Sequence, residues 1–64
     1  MNFIELQLKD GSSVLVNLSN VTCIFPNRDG TLMVCFDADE TIVVTNSYDE
    51  IHSTITTMQR RNGR

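Results

Sequence analysis

Apolar and polar residues alternate from the start of the chain. Between Phe3 and Lys9, Ile4, Leu6 and Leu8 fall on one side, and Phe3, Glu5, Gln7 and Lys9 on the other. That is the period of a half-buried strand. Asp10-Gly11-Ser12-Ser13 marks a turn, and Val14, Val16 and Leu18 then resume the apolar side over Val14 to Leu18. These two segments predict a hairpin. After Ser19-Asn20, Val21 to Phe25 predicts a third strand, because β-branched and aromatic residues fit a pleated surface. Its facing is ambiguous, since Val21, Cys23 and Phe25 compete with Ile24 for the inner side. Pro26 lacks the N–H that a ladder needs and ends the strand. Asn27-Arg28-Asp29-Gly30 predicts a turn. A fourth strand follows over Thr31 to Phe36, with Leu32, Val34 and Phe36 on one face and Met33 and Cys35 on the other. Asp37-Ala38-Asp39-Glu40 reads as a four-residue tip leading into a fifth strand, Thr41 to Thr45, where Ile42 and Val44 face opposite to Val43.

The period changes at Ser47. Ser47-Tyr48-Asp49-Glu50 fits the capping box, in which a hydroxyl and a carboxylate each accept the other residue's N–H. Ile51, Ile55 and Met58 recur at helical spacing, and Tyr48 extends the stripe backwards. The chain therefore reads as one domain over residues 1–64, with a sheet at about 2–46, a helix at about 47–61 and a basic tail at 60–64. The fold class is α+β, mainly β: an antiparallel meander of about five strands with one C-terminal helix.

One helix covers one face of a sheet. Phe3, Leu15, Ile24, Met33, Cys35 and Val43 do not all fit beneath it, and a sheet apolar on both faces needs burial on both. A strongly bent, barrel-like sheet would solve this within one chain; self-association would solve it between chains. At 64 residues, a domain buries only about 60% of the surface its unfolded chain exposes. Self-association is therefore the expectation, with Phe3, Leu15, Met33, Cys35 and Val43 as interface residues.

Composition adjusts this picture little. Apolar residues make up 41% and charged residues 20% of the chain, which argues against disorder. No apolar run approaches the roughly 18 residues of a membrane span. The start, Met1-Asn2-Phe3-Ile4-Glu5, shows no basic segment, and Glu5 interrupts any apolar one, so a cytoplasmic location is expected. Cys23 and Cys35 sit in short apolar runs and read as reduced core thiols rather than a disulfide framework.

Charge is uneven. Residues 1–59 carry Lys9 and Arg28 against eight acids, a net of −6, while Arg60, Arg61 and Arg64 give the last five residues +3. An acidic body argues against nucleic acid, whose phosphates need clustered cations. The tail reads first as a helix end complementing the negative pole of the macrodipole. The alternative is a nucleic-acid-linked regulator using that tail.

No catalytic constellation emerges, and no cofactor or metal is expected. Asp37, Asp39 and Glu40 crowd three carboxylates into four positions. A calcium loop would need further spaced oxygens and a central glycine, and a carboxylate pair would need a pocket that raises one pKa. The three read instead as a solvated tip. His52 lies about 100° off the helix stripe. With one histidine and no thiol near either cysteine in sequence, zinc is not expected either. Non-enzyme is the reading that remains.

The order of elements carries a resemblance. "FIELQLKDGSSVLVNLSNVTCIFP", a glycine-containing turn, "TLMVCF" and then "TIVVTNSYDEIHSTI" look like the short FlbD-like bacterial proteins. Val44-Thr45-Asn46-Ser47-Tyr48-Asp49-Glu50-Ile51 matches that group's V-x-x-S-x-x-E-[IV] helix opening. The resemblance implies an accessory or regulatory protein, linked to motility in flagellated bacteria. Asp37-Ala38-Asp39-Glu40 departs from the tight Asn-Gly-like turn of the flagellar pattern. No catalytic or ligand residue carries over.

Overall fold

The structure, a computed structural model, describes residues 3–62, without the side chains of Ala38, Arg61 and Asn62. It contains five antiparallel strands and one helix: β1 (Phe3–Gln7), β2 (Ser13–Asn17), β3 (Val21–Pro26), β4 (Leu32–Phe36), β5 (Thr41–Val44) and α1 (Tyr48–Asn62). The mainly β, α+β class holds. The five antiparallel strands follow one another in sequence order but divide between two sheets, with no closed barrel: β1 and β2 form one, and β3, β4 and β5 a second, in that order. Asn17 causes the break. Its side chain accepts from Ser19 N–H at 3.0 Å and starts a 3-10 turn over Leu18–Asn20, which turns the chain away before β3 begins. The sheets instead meet elsewhere, at one antiparallel bridge between Leu8 and Val44.

Asn46 reinforces that seam. Its Oδ1 accepts from Gln7 N–H at 2.8 Å, and its Nδ2 donates to Gln7 Oε1 at 2.8 Å. Thr45 N–H donates to the Gln7 carbonyl at 2.9 Å. Asn46 is the buried polar residue among the described positions, and both ends of its amide are satisfied.

Each hairpin closes over three residues. Leu8 N–H donates to Ser12 O (2.8 Å), Asn27 N–H to Thr31 O (2.8 Å) and Phe36 N–H to Glu40 O (2.8 Å). The expected four-residue acidic tip is thus a three-residue 3-10 turn, Asp37–Asp39, because Glu40 already pairs with Phe36. The third loop residue has positive φ in all three: Gly11 (91°), Gly30 (92°) and Asp39 (62°). In the first two, the preceding aspartate accepts from the residue after the glycine. Asp10 takes both the N–H and the hydroxyl of Ser12, and Asp29 both of Thr31. These bonds favour the charged carboxylate and hold both aspartates below their ordinary pKa, with Lys9 adding to the effect at Asp29. Lys9 and Asp29 lie 4.0 Å apart on exposed side chains, too screened to matter much for stability.

Asp39 lacks the freedom of glycine at its position. An L-residue in the left-handed region costs about 1–2 kcal/mol, partly offset when glycine adds disorder to the unfolded chain. Asp39→Gly is therefore expected to stabilise the fold by about 0.5 kcal/mol. Gly11→Ala should do the reverse, although nothing crowds the space its Cβ would take. Urea midpoints check both.

The core gathers Ile4, Leu6, Val16, Leu32, Val34, Val44 and Ile51, from both sheets and the helix. Leu8, Val14, Leu18, Val21, Ile24, Phe36, Ile42, Ile55 and Met58 pack around it. The strand faces read from alternation in β1, β2, β4 and β5 are those observed. The ambiguity in β3 is resolved by a bulge. Val21 pairs with Phe36 and Cys23 with Cys35, so Thr22 is the extra residue, and its hydroxyl donates to the Cys35 carbonyl at 3.3 Å. A one-residue slip lets Val21 and Ile24 both face inward while Cys23 and Phe25 face out.

The capping box forms as expected. Glu50 N–H donates to Ser47 Oγ (3.1 Å) and Ser47 N–H to Glu50 Oε1 (3.4 Å). Of the helix stripe, Ile51 is buried, and Ile55 and Met58 are half-buried. Tyr48 is the stripe's exposed end, its ring 6.0 Å from that of His52.

Candidate functional site

The outer face of the three-stranded sheet is built from residues that alternate with the core. Register places them in rows. Phe25 pairs with Met33, and Met33 with Val43, so these three side chains cross all three strands in one line. Cys23, Cys35 and Thr41 form the next line. Opposed residues on one face stand about 4.5–5.5 Å apart at Cβ, close enough to make a continuous apolar surface. Phe25 is 46% exposed, and no described element lies over it.

Of the expected interface residues, Met33, Cys35 and Val43 come together here. Phe3 and Leu15 are also exposed, at 45% and 68%, but they lie on the outer face of the other sheet. Phe3 opposes Asn17 and Leu15 opposes Glu5, so the two are diagonal neighbours in a smaller patch. The single expected surface is therefore two. Phe25 and Cys23 were missed from it, because without the bulge their direction could not be read.

Cys23 and Cys35 are free thiols, the first exposed and the second half-buried. They are not core residues, as the apolar runs around them suggested. They face each other across β3 and β4. The hydrogen bond between the two thiols, followed by burial and charge repulsion, pushes Cys35 above its ordinary pKa.

On the opposite side, α1 and β3 border an open groove of about 630 Å³. Leu18, Val21, Ile24, Ile55 and Met58 line its floor and walls, with Tyr48 and His52 also at the groove. Cys23, at the edge strand, also reaches the rim of this groove.

The acidic residues Asp37, Asp39 and Glu40 are all exposed on their turn. Among the described residues, no three histidine, cysteine or acidic side chains are gathered to hold a metal, and no helix is long and apolar enough to cross a membrane. Arg60 is exposed near the end of α1. Arg61 is described only in its backbone, and Arg64 lies outside the described residues, so the tail reading is left where the sequence put it. No family model matches the chain, and searches of curated proteins and of solved structures also found no match.

Proposed function

We propose that the chain is a small non-enzymatic protein–protein interaction module that self-associates through the outer face of the β3–β4–β5 sheet. The Phe25–Met33–Val43 row is the observation that carries this reading. Area supports it too. The chain exposes 4703 Å², whereas a compact monomer of its mass exposes about 4100 Å². The excess is of the order of one side of a standard protein interface, about 800 Å². A second copy is the favoured occupant because a chain of 64 residues cannot bury both faces of its sheet by itself. The body carries a net of −6, and an apolar contact keeps those like charges out of the centre. An accessory or regulatory role, of the kind the FlbD-like resemblance implies, would be exercised through such contacts.

Sedimentation at micromolar concentration tests this. The wild-type chain is expected to associate reversibly. Met33→Glu puts a charge in the centre of the row and should weaken association by about thirty-fold, the loss of one interface hot spot of about 2 kcal/mol. Circular dichroism confirms that the variant is folded, as expected for a half-exposed site. A wild-type chain that stays monomeric throughout would remove the proposal.

A further inference from the structure

We propose that Cys23 and Cys35 form a surface cross-strand dithiol, a modification site that a small disulfide oxidises to a reversible intramolecular disulfide. The inference does not rest on self-association, because both sulfurs belong to one chain.

The ladder sets the geometry. Asn27 N–H donates to Thr31 O, so Asn27 and Thr31 are a hydrogen-bonded pair. Such pairs alternate with non-hydrogen-bonded ones. Pro26–Leu32 is then non-hydrogen-bonded, the position where a proline costs no ladder bond. Phe25–Met33 is hydrogen-bonded, Ile24–Val34 is not, and Cys23–Cys35 is. A hydrogen-bonded pair holds its Cα atoms about 5.5 Å apart, inside the roughly 4.4–6.8 Å that a disulfide spans. Its Cβ atoms stand wider than the ~3.8 Å of a relaxed bridge. Closing the bond therefore pulls on the ladder. β3 is an edge strand, and the Thr22 bulge directly precedes Cys23, so this is where the sheet can yield. Strained, exposed disulfides are the easily reduced ones, which makes the bridge switchable rather than structural.

The chemistry assigns an order. Cys23 is the more exposed thiol and attacks first, as thiolate, on one sulfur of a disulfide such as oxidised glutathione. The S–S bond breaks, one thiolate leaves and takes up a proton, and Cys23 holds a mixed disulfide. Cys35, facing Cys23 across the strands, then attacks the Cys23 sulfur and expels the second thiolate. Two electrons and two protons pass from the pair to the oxidant, which ends as two thiols.

Intact-mass measurement on the full chain decides this. Reduced protein at low concentration is incubated with excess oxidised glutathione, and free thiols are then alkylated. The expected product has lost two hydrogens, carries no alkyl group, runs as a single chain and returns to the dithiol with reduced glutathione. Cys35→Ser should stop at a glutathione adduct on Cys23. Cys23→Ser should acquire its adduct several-fold more slowly, since Cys35 is the less exposed thiol and reactivity follows access. A wild-type chain that retains two alkylatable thiols, accumulates a stable glutathione adduct or links only to a second copy overturns the proposal. Should either serine variant fail to fold, the wild-type mass alone still decides.

Discussion

Ile51→Ala is expected to lower stability by about 3 kcal/mol, within the range for truncating a buried isoleucine. Ile51 is 4% exposed and is the helix's contribution to the buried core. Its neighbours on the stripe, Ile55 and Met58, border the open groove and are only half-buried. The docking of α1 thus hangs largely on one side chain directly after the capping box. A chain of 64 residues has roughly 3–10 kcal/mol of stability to lose. The variant should lose much of its cooperative urea transition, while Ile55→Ala costs only about 1 kcal/mol because its site is already open to water. Equal midpoints for the two would mean that the helix is held evenly along its length.

Asn46→Ala should cost about 2 kcal/mol for a different reason. The alanine leaves the Gln7 N–H without an acceptor and the Gln7 side chain without its donor at a partly buried seam. Gln7→Ala removes only the side-chain bond and should cost about 1 kcal/mol or less. The two losses should not add, because both act on the same contact, and a double-mutant cycle measures the coupling. If Asn46→Ala leaves the urea midpoint unchanged, the two sheets are joined by core packing rather than by this amide.

The readable parts of the chain were those governed by nearest neighbours. Alternation gave the inner faces of β1, β2, β4 and β5 because a side-chain period of two leaves no choice once one face is apolar. The Ser47–Glu50 cap was readable because both partners lie within four positions. Three features were not. The bulge at Thr22 depends on the register of β3 against β4, which no local pattern records. The Asn17 turn that splits the meander depends on one side-chain bond to Ser19. The facing thiols depend on both strands at once, since Cys23 and Cys35 are neighbours only in the folded ladder. Asn46 did carry a faint signal. It occupies the position just before a helix cap, where a staple would put an apolar residue, and its amide there meets Gln7 instead.

The three short hairpins also shape how the chain reaches this fold. Each brings its strands together across three residues, so each closes at small entropic cost and on a fast timescale. The seam is different. It joins Gln7 to Asn46, 39 positions apart in sequence. That one closure spans most of the chain, and it positions the helix start at Ser47 as well. Folding should therefore divide into quick local zippering and a single slower docking step. The Leu8–Val44 bridge and the Asn46 amide would form last and, on the return path, part first.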